Sequence, residues 1–226
     1  EWKKGRVIME SKKMKPYELL GWIQQYEAEG DEGLKTQILK CMEALTDSEE
    51  MLPEEDAVAY FFGLEQTGDE KYKKAMDRIA NSGDASLKLM PFMAAYETAY
   101  RKKEHYNLIA QAFTEKESLT PEDMAALINT VEQMSQEIYE YYRELKDLFC
   151  KKIKEFLPGM EDSSDRMILA YSVLKACNLR VLQPEKYRDY GIRAWSQAAK
   201  SGGEKNGVYT MVNAQYEILK KTGGLD

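Results

Sequence analysis

Acidic side chains at helix starts are the residues of this 226-residue chain best placed to do chemistry. Asp84 closes Asn81-Ser82-Gly83-Asp84, directly ahead of an apolar run that reaches Tyr100, and Asp56 closes Pro53-Glu54-Glu55-Asp56 ahead of another at 57–64. Two carboxyls at the starts of the first helices of successive hairpins lie at the same end and can share general acid–base work, provided one is desolvated or has a carboxylate neighbour that keeps it protonated. Each also suits a plainer role, Asp84 as an N-cap and Asp56 as a first-turn acid in a helix dipole. Ser163 and Arg166, at a third helix start, add a hydroxyl and a guanidinium able to grip a carboxylate through two hydrogen bonds. Trp22 and Trp195 fall on helical faces, where an indole either packs in the core or stacks on a sugar ring.

Other chemistries find no support. His105 is the sole histidine and stands in a turn beside Glu104, with no cysteine near it in sequence. There is no glycine-rich phosphate loop, no His-Glu-x-x-His and no paired cysteines, so neither a metal nor another cofactor is expected. With 32 basic against 39 acidic residues and a net charge of −7, the chain lacks the basic field that nucleic acid demands. Its nearly uncharged stretches, such as 57–64 and 87–95, are far shorter than a membrane span of about 20 residues. Three widely spaced cysteines, Cys41, Cys150 and Cys177, fit free thiols in a reducing compartment, so a cytoplasmic location is expected.

The elements that must position these residues are helical throughout. Apolar residues recur every three to four positions and nowhere alternate, which predicts an all-α chain. The spacing predicts helices at 16–29 and 32–45, 54–66 and 70–80, 85–102 and 104–116, 121–133 and 135–157, 164–180 and 184–199, then 208–220 after a connector at 201–207. Asp69 is placed to cap the fourth helix, and Thr120-Pro121-Glu122-Asp123 reads as a capping box with aspartate in its third position. From Met124 through Leu127, Val131, Met134, Ile138, Tyr141 and Leu145 to Leu148, steps of three and four follow a coiled-coil seam. A break near 132–135 is expected, and an exposed seam here would serve a homodimer. Turns resemble one another at Glu29-Gly30-Asp31-Glu32 and, 38 residues on, Thr67-Gly68-Asp69-Glu70. The pattern is five helical hairpins plus a terminal helix, stacked as repeats in one domain over 1–226.

Several segments resemble the unsaturated glucuronyl and unsaturated rhamnogalacturonyl hydrolases, glycosidases built on a six-hairpin α/α-toroid. They are Leu64-Glu65-Gln66-Thr67-Gly68-Asp69-Glu70-Lys71-Tyr72, the stretch from Asp84 to Tyr100, Glu161-Asp162-Ser163-Ser164-Asp165-Arg166-Met167, Leu182-Gln183-Pro184-Glu185-Lys186-Tyr187 and Ala194-Trp195. Asp84 stands seven positions before Pro91-Phe92, as the catalytic acid of that family does. The resemblance implies an α/α-toroid shortened to about five hairpins and hydration of an unsaturated uronic-acid oligosaccharide. Asp84 would be the general acid/base; Asp56, which is matched to no family residue, is the candidate second carboxylate by its place at a hairpin's first helix, and Ser163, Arg166 and Trp195 are the candidate substrate contacts. Ser82-Gly83 replaces the family's aromatic approach to the aspartate, and Lys88 takes a methionine's place. The alternative is a relative without catalysis, serving as a saccharide- or protein-binding helical scaffold.

Overall fold

A computed structural model describes residues 14–47, 51–84, 86–200 and 206–222; most of the connector expected at 201–207 lies outside them. The described residues form α1 (Glu18–Glu29), α2 (Glu32–Asp47), α3 (Ala59–Thr67), α4 (Glu70–Ala80), α5 (Met90–Tyr100), α6 (Tyr106–Thr114), α7 (Pro121–Gln133), α8 (Tyr139–Phe156), α9 (Arg166–Asn178), α10 (Pro184–Lys200) and α11 (Gly207–Lys221). No strand occurs among them. The expected all-α class holds.

Local chemistry explains most boundaries. Thr120 and Asp123 form the expected capping box, and the Asp69 side chain accepts a hydrogen bond from the Lys71 N–H. Gly30 and Gly68 end α1 and α3 in the left-handed conformation, a backbone state that glycine enters without a Cβ penalty. The break after α7 falls where expected, at an extended Met134 followed by Ser135, which caps a 3-10 turn. Other predicted starts move inward. Glu54–Asp56 and Leu87–Leu89 are 3-10 turns that lead into α3 and α5, and Pro91 sits in the first turn of α5. Helix α1 begins at Glu18, because Tyr17 adopts a left-handed φ of 64°.

Consecutive helices pack in pairs, and alternate helices also touch: α1 with α3, α5 with α7, α7 with α9, and α9 with α11. The last helix then returns to the first, since α11 packs along α1, so the array is closed. Helix α9 is apolar on nearly every side and buried from Ile168 to Cys177. By contrast, α4 and α8 carry a single apolar stripe that faces the other helices. Of the heptad-like seam, Met124, Leu127, Val131, Met134 and Leu145 are buried in the core, whereas Ile138, Tyr141 and Leu148 are half-buried.

Closure rests on two glycines. A Cβ on Gly207 would lie 2.3 Å from the Tyr17 carbonyl oxygen and 2.6 Å from the Glu18 nitrogen, and one on Gly21 would lie 2.7 Å from the Gly207 carbonyl oxygen. Backbone meets backbone there, and no side chain can yield to make room. Gly207→Ala is therefore expected to destabilise the fold by about 1–3 kcal/mol in urea denaturation, as overpacked core sites do. Gly33→Ala, whose added Cβ meets only the Asp31 side chain, is the control and should stay within about 0.5 kcal/mol of the parent.

Candidate functional site

The helix starts that carry Asp56 and Asp84 adjoin, but their aspartates part company. The Ser86 hydroxyl donates to Glu54 Oε2 (2.7 Å), and Lys88 Nζ pairs with Glu55 Oε1 (2.7 Å), tying the two starts together. Lys88 thus serves Glu55. Asp56 is fully buried and its Oδ1 accepts a hydrogen bond from Leu20 N–H (2.7 Å), so it caps α1, 36 residues earlier in the chain. Its Oδ2 has no hydrogen-bond partner. Burial pushes the Asp56 carboxyl up to about 7, against the Leu20 hydrogen bond, which favours the charged form.

Asp84 is exposed. Its Oδ1 accepts from Ser86 N–H (2.9 Å) in a tight turn, and Ser86 rather than Asp84 caps the next element. It lines an open groove of about 330 Å³ whose walls are mostly apolar, from Met51, Leu52, Ala57, Ile79 and Leu89, with Arg78 as the one lining cation. The other expected contacts lie elsewhere. Ser163 Oγ accepts from Asp165 N–H (3.1 Å), and Arg166 Nη1 donates to the Ser163 carbonyl (3.3 Å) at the start of α9. Trp195 stacks on Tyr216 with ring centroids 4.6 Å apart, joining α10 to α11. None of these three lines the Asp84 groove. His105 does have a partner. Its Nδ1 lies 2.5 Å from Oε1 of the fully buried Glu97, whose Oε2 accepts from Glu104 N–H (2.8 Å), so the pair ties down the turn between α5 and α6.

A second concavity opens between α1, α3, α7 and α9, with a volume of about 230 Å³. Leu20, Ile23, Gln24, Ala59, Phe61 and Phe62 form its walls, and its charged lining is Glu27, Glu65, Glu132 and Lys175. Its lining runs along α1 from Leu20 to Glu27 and along α3 from Ala59 to Glu65, and meets the last turn of α7 at Glu132 and Gln133. One hydrogen-bonded chain holds the surrounding helices. Asn178 Nδ2 donates to Gln215 Oε1 (2.8 Å), Gln215 Nε2 to Gln24 Oε1 (3.0 Å), Gln24 Nε2 to the Tyr171 hydroxyl (2.9 Å), and that hydroxyl to Asn129 Oδ1 (2.6 Å).

Lys175 extends this chain to the cavity. Its side chain is almost completely buried, and Nζ pairs with Glu132 Oε2 (2.7 Å). Burial acts to lower its pKa, but Glu132 and Tyr171 outweigh that and hold the ammonium above its usual range. Glu27 reaches water at the mouth yet is walled by protein. Burial raises its carboxyl above the ordinary range; Lys175 draws it back, and Glu132 and Glu65 push it up again. This raised carboxyl beside a lysine-paired one is a polar site that composition did not flag. The usable signal was a lysine inside the apolar run of α9 and amides at Gln24 and Asn129 on apolar faces.

Comparison with protein-family models, with curated proteins and with solved structures finds no match.

The Asp56 geometry has a direct consequence for stability. A carboxyl raised from 3.8 to about 7 on folding binds more protons in the folded than in the unfolded chain within that window. The contribution of Asp56 to stability then falls as pH climbs from about 4 to about 7, by on the order of a few kcal/mol, and levels off above it. Asp56→Asn keeps an acceptor for Leu20 N–H and removes the charge, so its denaturation midpoint is expected to change less across this window. Asp56→Ala leaves that N–H without its acceptor and is expected to be less stable than Asp56→Asn at every pH.

Proposed function

We propose that this chain is a saccharide-binding helical ring without hydrolytic activity on unsaturated uronates. On this reading its closed all-helical array is a shortened toroid of about five hairpins in one domain, and the concavity between α1, α3, α7 and α9 is the binding site. The observation that carries it is the lining of that cavity. Carboxylates at Glu27 and Glu65 and the amide of Gln133 line it together with Phe61 and Phe62, pairing hydroxyl-binding groups with apolar side chains for a sugar ring. At about 230 Å³ the cavity lies below the roughly 300–1,000 Å³ of sites for drug-sized ligands, a scale that suits a single ring.

The same lining opposes a uronate. Three carboxylates face one ammonium, and that ammonium already pairs with Glu132, so an anionic sugar meets net repulsion. Hydration at Asp84 would further need a carboxyl kept protonated at neutral pH. Asp84 is exposed to water, and Asp56, the intended second carboxylate, is turned inward onto α1. One observation favours the hydrolase reading. Arg78 lines the Asp84 groove and offers a guanidinium to a uronate carboxylate, so on that reading Asp84 acts there, with Ser163, Arg166 and Trp195 outside the groove.

Incubation with unsaturated glucuronyl and rhamnogalacturonyl disaccharides separates the two. The binding reading expects no loss of the ultraviolet absorbance of their conjugated double bond. Loss of absorbance that Asp84→Asn abolishes would establish the hydrolase reading instead.

A further inference from the structure

We infer that Asn206 is a site of spontaneous deamidation guarded by the closure of α1 on α11, and that its isoaspartate product keeps the ring from closing again. This holds whatever the cavity binds. Asn206-Gly207 is the one Asn-Gly pair of the chain, and asparagine is labile there because glycine has no Cβ to shield its backbone nitrogen. The Gly207 nitrogen gives its proton to water and attacks Asn206 Cγ. A bond forms between them, the Cγ–Nδ2 bond breaks, and Nδ2 takes up a proton and departs as ammonia. Water then opens the resulting succinimide at either carbonyl. One route gives aspartate. The other gives isoaspartate, in which the main chain runs through Cβ and Cγ and is longer by a methylene.

The folded chain holds the reacting groups off this path. Asn206 is exposed to water, but its Oδ1 accepts from Tyr209 N–H (3.0 Å), so the carboxamide is committed to capping α11. Its main-chain carbonyl accepts from Thr210 N–H (3.1 Å) and from the Thr210 hydroxyl (3.3 Å). These bonds hold ψ at −177°, whereas ring formation requires rotation about that bond. Gly207 cannot turn in its place, because it is buried with its backbone against Tyr17 and Glu18. Both residues are free only when α11 leaves α1, so the reaction follows the open population. The products then differ in consequence. Aspartate keeps the backbone and caps a helix as well as asparagine does. Isoaspartate displaces Gly207 relative to the cap, at a contact where an added Cβ would already lie 2.3 Å from the Tyr17 carbonyl oxygen.

Peptide mapping by mass spectrometry follows the reaction in the full chain incubated at neutral pH. Asn213, which precedes Ala214 inside α11, is the internal control and should react far more slowly in every state. Asn206 is expected to deamidate at least about tenfold more slowly in the folded chain than in the urea-unfolded chain. Gly21→Ala places a Cβ 2.7 Å from the Gly207 carbonyl oxygen without altering the reacting pair, so it should speed the loss, and Gly33→Ala should match the parent. If Gly21→Ala does not fold, urea below the unfolding transition takes its place and should speed the loss in the parent. Deamidation of the folded chain at the unfolded rate, or no acceleration by the perturbation used, overturns the guarding role. The isoaspartate product, once purified, should lose hydrogen-exchange protection at Val212, whereas Asn206→Asp should keep it. Full protection at Val212 in the isoaspartate form overturns the block on reclosure.

Discussion

The structure depends on the contact between its first and last helices. Gly21 and Gly207 let α1 and α11 meet backbone on backbone, closer than any side chain would allow. That approach brings Gln215 of α11 within hydrogen-bond reach of Gln24 of α1, and through Gln24 to Tyr171 and Asn129. Without it the amides would be buried with donors and acceptors unsatisfied, at about 1–3 kcal/mol for each group left unpaired. Closure and the polar interior are therefore one condition.

The interior is an unusual compromise. Ten consecutive residues of α9 are buried, yet Ser172 and Lys175 lie among them, and α7 buries Asn129 and Thr130 beside leucine and isoleucine. Each of these polar groups is satisfied. Ser172 and Thr130 return a hydrogen bond to the carbonyl four residues earlier, and Lys175 has Glu132. A network of this kind holds only one arrangement of its helices well, because a shift in any member strands a buried group. It also fixes the charged rim. Glu132 is held by Lys175, whereas Glu27 stands at the cavity mouth between the pull of Lys175 and the push of Glu132 and Glu65.

The helices were legible in the sequence and their use was largely not. Capping chemistry is local, so Thr120, Asp123, Asp69 and the left-handed glycines marked boundaries correctly. The alternating steps from Met124 to Leu148 showed an apolar stripe but not its depth: Met124, Leu127, Val131, Met134 and Leu145 lie in the core, and Ile138, Tyr141 and Leu148 are half-buried. Asp56 looked like a first-turn acid for its own helix, and no local pattern reveals that it caps α1 instead. Gly207 read as the last residue of the connector at 201–207, although it makes the tightest contact of the closure. Asp84 matched a family position by spacing alone. Position along the chain says nothing of the side chain's direction, and here it faces water.

Native-state hydrogen exchange tests the closure most directly. If α1 and α11 are one unit, the amides of Ile23 and Gln24 and those of Val212 and Gln215 should exchange through a common opening. They should then share one free energy close to that of global unfolding. Exchange of the α1 amides at a distinctly lower free energy, with α11 still protected, would contradict the account, because the first helix would then open without the last.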